Sequence, residues 1–424
     1  MHATRRETMA ADPIDAEARA ENLTRSRRFK VRFKEAGALR AAQSMRSPHA
    51  LTRVANEKRG FLSVQVPFQT RGLAAAERRF DSQLYVFERE LGGKILEDYR
   101  FDLDGAGPAH LDRGRDEPSL KDVIERIRAR EAWELSRGAG ITIAVVDTGI
   151  NGERPEFPAG KRQGAWQPLG DTPWTDWDGH GTMCACVAAG TTEEDGAFDG
   201  VAPDAGLIAC KTHFYDSELA SAYDYLIDRT ERDGLRIVAT NSFGRHTGSP
   251  PPEPSDSDFL PALDEAIRKG ISVFFSAGNN HHLANGLPDQ CHPNTIWLYK
   301  SRADVMTVAT CKLDGSMWFY SSRGPGQLHG EPNMSPKPDI TAPTPEHGSV
   351  VYGDEILAFP DGWGTSGACP QVAGLAALLL GADGGLGRDA LFRLIRATAV
   401  PLGHGPGCEG AGLIDCMAAL QAAT

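Results

Sequence analysis

The sequence ITIAVVDTGI, Ile141–Ile150, decides the fold class of this chain. Its first six residues are apolar or β-branched and lack the alternation of a half-buried strand, so they predict a strand buried on both faces. Such strands are typical of parallel sheets. Asp147 ends the strand and Gly149 follows, at the kind of sheet edge where α/β proteins collect ligands and reactive side chains.

Two further apolar runs end in polar residues in the same way. Residues 237–239 (IVA) lead to Asn241, and residues 271–275 (ISVFF) lead to SAGN, Ser276–Asn279. The carboxyl ends of parallel strands meet at one edge of a sheet, so we expect these polar residues to lie close to Asp147. The pattern predicts an α/β fold with a mostly parallel central sheet.

Two other segments contribute a histidine and a serine. GHGT, Gly179–Thr182, opens a predicted helix, and GTSGACPQVAG, Gly364–Gly374, places Ser366 between a glycine-rich turn and an apolar helix. A serine hydroxyl needs a neighbouring base to become a nucleophile, and that base needs a buried carboxylate to orient it. Asp147, His180 and Ser366 are therefore the candidate orienting acid, general base and nucleophile.

From about Glu125 to the C-terminus, the chain resembles the subtilisin-like serine proteases (subtilases), which have the same Asp, His, Ser order. The matching segments are Ile141–Ile150, Asp178–Gly190, Gly200–Pro203, Asn241–Gly244, Ser276–Asn279, Ser321–Pro325, Lys337–Pro343, Gly364–Gly374 and Gly412–Ile414. The resemblance implies a subtilisin-like three-layer fold and a serine endopeptidase that forms an acyl-enzyme on Ser366.

The resemblance also implies where the substrate binds. The side-chain amide of Asn279 and the backbone N–H of Ser366, at a helix N-terminus, would hold the oxyanion. The expected substrate-binding residues are Ser242, Phe243, Gly244, Ala277 and Gly278. Two positions differ from the usual family pattern: Gly367 stands where methionine is common, and Gln371 where histidine is common. We expect Gly367 to widen the leaving-group side of the site.

Two alternative functions use the same residues. An amine could replace water in the second step, which would make the chain a peptide-maturation protease or a ligase/cyclase. The chain could also be a catalytically silent subtilase that only binds peptides.

The N-terminal third predicts a separate small domain. We expect a flexible tail over residues 1–28, an α+β domain with its linker over 29–120, and the catalytic domain over 121–424. The predicted elements are a strand at Phe29–Phe33, a helix at Ala36–Ser44, strands at Leu62–Phe68 and Leu84–Phe87, a turn into a strand at Leu91–Leu96, and a linker at Asp102–Ser119. By resemblance this domain is prosegment-like, an intramolecular inhibitor of a zymogen; the alternative is an accessory domain for substrate or partner recognition.

Charge separates the two predicted domains. The first 130 residues contain 26 basic and 20 acidic side chains, a net charge of +6, whereas the remainder contains 19 and 37, a net charge of −18. An acidic catalytic domain argues against nucleic-acid binding and suits docking of a basic N-terminal region. Peptides or proteins are the expected substrates, with no cofactor required for the chemistry. The resemblance allows structural calcium, but the ligands of any metal stay unknown.

The sequence favours a cytoplasmic protein. No apolar stretch of about 18 residues predicts a membrane span, and the N-terminus lacks the apolar core of a secretory signal. Secretion is the alternative if a signal is missing from the sequence. The even count of eight cysteines would allow disulfides, but, consistent with a reducing compartment, we expect free thiols. His281, His282, Cys291 and His292 are either a polar insertion or, with a spacing that fits no standard module, a zinc site.

Overall fold

The computed structural model of the protein describes residues 26–45, 51–67, 86–103, 119–191, 196–244, 254–287, 289–327 and 334–424. The described strands are β1 (Ser26–Arg32), β2 (Leu51–Asn56), β3 (Phe61–Pro67), β4 (Lys94–Glu97), β5 (Asp102–Leu103), β6 (Ile141–Asp147), β7 (Arg162–Trp166), β8 (Gly206–Lys211), β9 (Arg236–Asn241), β10 (Phe243–Gly244), β11 (Ser272–Ser276), β12 (Met306–Cys311), β13 (Gly326–Gln327), β14 (Met334–Ser335), β15 (Ile340–Pro343), β16 (Gly348–Tyr352) and β17 (Glu355–Phe359). The described helices are α1 (Ala36–Ser44), α2 (Leu120–Arg126), α3 (Ala129–Ala132), α4 (His180–Ala189), α5 (Asp216–Asp233), α6 (Phe259–Arg268), α7 (Gly364–Ala382), α8 (Arg388–Ala397), α9 (Pro406–Glu409) and α10 (Cys416–Ala423). Contacts divide the chain into two units, between Tyr99 and Arg100.

The second unit is built on a seven-stranded sheet in the order β15-β12-β11-β9-β6-β8-β7, in which every pair is parallel. The strands predicted from the apolar runs, β6, β9 and β11, are neighbours in it. Their carboxyl ends therefore share one edge, and the predicted α/β fold is confirmed.

Strand β6 is buried on both faces, as its continuous apolar sequence predicts. Ile141, Ile143 and Val145 belong to a core that includes buried side chains of α4 and α7. The alternate residues Ala144 and Val146 are fully buried as well, and successive side chains of a strand point to opposite faces. The sheet is therefore the middle of three layers.

Helix α7 is long and apolar enough to meet the criteria for a membrane span among the described residues, with 19 residues and a mean hydropathy of 1.3. However, 89% of this stretch is buried inside the protein. Its apolar character is that of the central core helix, which carries Ser366 near its N-terminal end.

The described part of the first unit contains a four-stranded sheet in the order β2-β3-β1-β4 and the helix α1. Val31, Leu39, Leu62 and Phe87 are among the buried residues of its small core. Helix α1 has the predicted bounds, and β3 and β4 lie where alternation and the Gly92-Gly93 turn place them.

Several sequence-based expectations for this region were wrong. Ser26–Arg28 belong to strand β1 instead of a tail. Val86 and Phe87 start a five-residue helical turn instead of a strand, while Leu84 and Tyr85 lie outside the described residues, as do residues 1–25 of the predicted tail. Strand β2 was not predicted because LTRVAN has only a short apolar pattern. The start of the predicted linker forms strand β5, and the domain bounds 29–120 and 121–424 stay a prediction.

Candidate active site

Asp147 and His180 form a buried hydrogen-bonded pair at the carboxyl edge of the sheet. The Asp147 carboxylate lies at the end of β6, and His180 is the first residue of α4. Asp147 Oδ1 lies 2.8 Å from His180 Nδ1 and also accepts a hydrogen bond of 2.8 Å from the Thr148 N–H. The ring is therefore held through Nδ1, and Nε2 is the nitrogen available for chemistry.

Glycines let the histidine helix approach the strand end. A β-carbon on Gly181 would lie 2.1 Å from the carbonyl oxygen of Gly149 and 3.0 Å from the β-carbon of Asp147. The Gly181 N–H instead donates to Thr148 Oγ1 at 2.8 Å. The glycines of the GHGT and DTG segments thus allow the two backbones to pack in close contact.

Asp176 holds the start of the same helix, and sequence reasoning missed it. Its carboxylate accepts hydrogen bonds from the N–H of Gly179 (2.8 Å), the N–H of Thr182 (2.8 Å) and the hydroxyl of Thr182 (2.6 Å). Burial raises the pKa of Asp176, against these hydrogen bonds. An aspartate just before a predicted helix start is the usual signal for such a cap and could have identified it.

The electrostatics of the pair favour a charged imidazole. Burial lowers the pKa of His180, but the neighbouring Asp147 carboxylate outweighs this effect, so the pKa is raised well above its ordinary value of 6.5. The carboxylate therefore stabilises the imidazolium that forms when the ring accepts a proton.

Ser366 lies in the first turn of α7, and Pro370 leaves its carbonyl without the usual helical partner because proline has no N–H. That carbonyl instead accepts hydrogen bonds from Cys184 Sγ at 3.6 Å and Ser242 Oγ at 3.3 Å. Cys184 Sγ also lies 3.8 Å from His180 Nδ1. The nucleophile candidate, the base candidate and the predicted edge strand are therefore linked through adjacent side chains.

His180 Nε2 is buried and has no hydrogen-bond partner among the described residues. The conformation thus lacks the hydrogen bond between serine and histidine that proton transfer requires. Such contacts often tighten only when substrate binds.

Asn279 is fixed beside the nucleophile through its side-chain oxygen. Oδ1 accepts hydrogen bonds from the N–H and the hydroxyl of Thr365, each at 3.0 Å. The Gly278 N–H donates to the same hydroxyl at 3.1 Å. These bonds direct the Asn279 amide nitrogen away from Thr365, the residue before Ser366.

The predicted substrate-binding strand β10 pairs with a segment of the chain itself. Strand β5 runs antiparallel to it, with Leu103 opposite Phe243 and Asp102 opposite Gly244. Immediately before β5, the Phe101 N–H donates a hydrogen bond of 2.8 Å to the Phe214 carbonyl. Residues 101–103 thus occupy the position expected for an extended substrate.

Phe101 anchors this segment in an aromatic cluster and is only 2% exposed. Its ring centroid lies 6.3 Å from that of Phe243, 6.4 Å from that of Phe259 and 5.5 Å from that of Tyr299. The Asp- and Gly-rich sequence that follows Phe101 has no alternation, so it predicts a linker and carries no strand signal.

The two departures from the family pattern are explained by packing. A β-carbon on Gly367 would lie 2.5 Å from that of Trp363, so the glycine accommodates the buried tryptophan, and the expected widening of the leaving-group side stays a prediction. Gln371 Nε2 donates to the carbonyls of Pro343 (2.7 Å) and Gly367 (2.9 Å).

The cysteine expectation was wrong for one pair. Cys291 and Cys408 form a disulfide, and the other six cysteines are free and buried. The proposed zinc set of Cys291 with three histidines does not assemble. Among the described residues, Asp147, His180 and Cys184 are the one group of three such side chains close enough to share an ion.

The fold and the side chains at this edge define a class, the serine-type endopeptidases. Residues 138–412 match the model of the Subtilase family, described as Peptidase_S8, and the chain belongs to this family. An intracellular serine protease of Paenibacillus polymyxa is 28% identical over 307 residues, which are 69% of this chain and 83% of that protein. Thermitase of Thermoactinomyces vulgaris is 29% identical over 262 residues, covering 60% of this chain and 80% of the relative.

Two solved structures show the same fold. Fervidolysin from Fervidobacterium pennivorans, a keratinolytic enzyme related to subtilisin, has a TM-score of 0.60 and 20% identity, covering 93% of this chain and 61% of that chain. MycP1 with its N-terminal propeptide removed has a TM-score of 0.54 and 24% identity, covering 72% of this chain and 98% of that chain. The family and the named proteases identify the protein as a hydrolase that acts on peptides or proteins and needs no cofactor for its chemistry.

Proposed function

We propose that this endopeptidase hydrolyses peptide bonds through an acyl-enzyme on Ser366. Ser366 Oγ attacks the scissile carbonyl and passes its proton to His180 Nε2, which then protonates the leaving amine. Water next attacks the acyl-enzyme, gives its proton to His180, and releases the acid and Ser366. The observation that carries this proposal is the buried Asp147–His180 hydrogen bond, because it keeps Nε2 as the proton-accepting nitrogen.

In this proposal, Asn279 Nδ2 and the Ser366 N–H stabilise the oxyanion. Asn279 is held in place by Thr365 before substrate arrives, so its dipole needs no reorganisation during the reaction. The remaining binding residues have backbone roles: Ser242, Phe243 and Gly244 pair with the substrate main chain, and Ala277 and Gly278 line the approach to Asn279.

The fate of the acyl-enzyme separates hydrolysis from the ligase/cyclase alternative. In oxygen-18 water, hydrolysis of a peptide places one heavy oxygen in the new carboxyl group, whereas transfer to an amine places none there. We expect heavy oxygen in the acyl product. Its absence, with peptide-joined products in its place, would favour a ligase or cyclase. A catalytically silent peptide-binding protein would give no product of either kind.

We propose that the segment around β5 acts as an intramolecular inhibitor. It pairs with the strand expected to bind substrate, and Phe101 fills the aromatic cluster beside it. The MycP1 structure is described as having an N-terminal propeptide removed, which supports the same interpretation for this N-terminal region.

The inhibitor proposal predicts that Phe101→Ala speeds access to the site. Truncation of a buried phenylalanine typically costs about 3–5 kcal/mol, and even part of this loss would raise the labelling rate of the full-length chain by a serine-directed probe at least about tenfold. Phe319→Ala is the matched control, since that ring is 38% exposed. Equal labelling rates for wild type and Phe101→Ala would reject the inhibitor role.

Structural calcium stays a prediction. Calcium takes about 6–8 oxygen ligands, backbone carbonyls among them, whereas the close group of Asp147, His180 and Cys184 offers a nitrogen, a sulfur and a single carboxylate. A relative from Nostoc, 28% identical over 333 residues, is named a calcium-dependent protease. We include no calcium in the mechanism.

The compartment can be tested through the cysteines. The cytoplasmic location expected from the sequence stays a prediction, and the Cys291–Cys408 disulfide favours the alternative, an oxidising compartment. Thiol alkylation in intact cells, followed by mass analysis, decides between them. An oxidised pair supports the alternative, and alkylated Cys291 and Cys408 support the cytoplasm.

A further inference from the structure

A narrow pocket lies between the edge strand and the segment that carries Asn279. In this conformation it has room for about one water molecule, and the residues around it include Gly244, Ala277, Thr295, Trp297, Tyr299 and Lys300. Gly244 belongs to β10, which pairs with an extended chain, and Ala277 lies two residues before Asn279. The pocket is therefore placed to receive a substrate side chain close to the reacting carbonyl.

Lys300 brings a positive charge to this pocket. The residue is only 4% exposed, and its Nζ lies 3.6 Å from the point where a β-carbon on Gly278 would stand. The Lys300 carbonyl accepts a hydrogen bond of 2.5 Å from Thr307 Oγ1, which fixes its backbone. A buried ammonium in a narrow pocket favours an anionic group and disfavours a cationic or apolar one.

The pairing of β5 with β10 gives the direction in which a chain crosses the site. Asp102 lies opposite Gly244 and Leu103 opposite Phe243, so a substrate in this register would place its next residue beside Ser242. Ser242 Oγ donates to the Ser366 carbonyl, which puts that next residue at the nucleophile. In the sequence the residue after Leu103 is Asp104, an acidic residue that lies outside the described residues.

We propose that this pocket selects an acidic side chain, aspartate or glutamate, at the residue whose carbonyl Ser366 attacks, with Lys300 as the specificity-determining residue. The inference rests on the proposed function, since it concerns the same acyl-enzyme. It assigns Asp104–Gly105 as the bond that the enzyme cleaves in its own chain: water adds across that peptide bond, giving a new carboxyl group on Asp104 and a new amine on Gly105.

The test is a set of fluorogenic peptides with the sequence Phe-Asp-Leu-X, in which X is Asp, Glu, Asn, Leu or Lys and the leaving group is a coumarin amine. Asp and Asn have nearly the same shape, so their ratio of kcat/KM isolates the charge. We expect wild type to prefer Asp by about ten- to a hundredfold, the range of a charge-assisted hydrogen bond. Lys300→Met should reduce this ratio to about one. The surface control Lys269→Met should leave the ratio unchanged.

The outcomes separate this inference from the proposed function. An Asp to Asn ratio of one or less in wild type, with turnover of the other peptides, overturns the acidic preference while the enzyme remains a serine endopeptidase. No turnover of any peptide or of casein by wild type or by Phe101→Ala, together with no labelling of either protein by a serine-directed probe, rejects the proposed function itself. The wild-type ratio needs no variant, so misfolding of Lys300→Met cannot obscure it. A processed N-terminus after a non-acidic residue also contradicts the inference.

Discussion

Replacing Asp147 by asparagine removes one charge and keeps the shape of the side chain. In the wild type, Asp147 Oδ1 accepts hydrogen bonds from both the His180 ring and the Thr148 N–H. Asparagine can still accept through its oxygen, but it no longer stabilises the imidazolium, and its NH₂ group favours the tautomer with the proton on the wrong nitrogen. The fold should persist while the base loses its charge partner.

The magnitude follows from the geometry of the pair. Two unit charges with centres about 4 Å apart, in a medium of effective dielectric constant about 20, attract each other by about 4 kcal/mol. Each 1.4 kcal/mol corresponds to about tenfold, so loss of the charge should lower kcat by about 10³. The wrong tautomer increases the loss toward about 10⁴.

The pH profile gives a second readout of the same change. His180 must be neutral to accept the serine proton, so wild-type kcat/KM rises as the pH increases through the His180 pKa. Burial lowers that pKa and Asp147 raises it further than burial lowers it, which places the wild-type acidic limb above pH 6.5. In Asp147→Asn, burial still lowers the pKa of His180 while the carboxylate that raised it is gone. The acidic limb should therefore move to lower pH.

The assay is steady-state peptide hydrolysis between about pH 5 and 9, normalised to the concentration of sites that a serine-directed probe can titrate. Asp178→Asn is a suitable control, because that exposed carboxylate lies near the same helix but does not contact His180. A loss of less than tenfold for Asp147→Asn, or an acidic limb at the wild-type position, would refute the assignment of Asp147.

Three other predictions concern residues around the site. Asn279→Ala should lower kcat by about 10²–10³, the range found for such a donor in subtilisin, with little change in KM; steady-state kinetics that show a smaller loss would remove Asn279 from the oxyanion hole. Asp176→Ala should lower the melting temperature and the free energy of unfolding by about 1–3 kcal/mol, because three donors at the start of α4 lose their acceptor; thermal unfolding at unchanged Tm would contradict this. Gly367→Ala should destabilise the fold by about 1–3 kcal/mol through its clash with Trp363, which denaturant unfolding measures, and a neutral effect would mean that the tryptophan has room to move.

The sequence alone predicts those elements whose side chains are all buried in the same way. Strand β6 is apolar at nearly every position because helices cover both faces of its sheet, and that pattern identified the parallel fold. The segments that carry Asp147, His180 and Ser366 were identifiable for a related reason. Close approaches such as Gly181 against Gly149 permit only glycine, which leaves a recognisable local sequence.

Strands and disulfides whose partners lie far away in the sequence could not be predicted from such local patterns. Strand β5 forms because β10 offers a free edge, and the two are about 140 residues apart along the chain, so the sequence DL has no strand signal of its own. The disulfide likewise joins cysteines 117 residues apart. The contact of Gly367 with the buried Trp363 also depends on packing that the sequence does not reveal.

The most direct test of the central claim is the intact mass of wild type and Ser366→Ala after reaction with a serine-directed phosphonate. We predict that wild type, or its processed form, gains the mass of one probe, while Ser366→Ala gains none and keeps its full length of 424 residues. Equal labelling of both proteins, or N-terminal processing of Ser366→Ala at the wild-type rate, would contradict the assignment of Ser366 as the nucleophile.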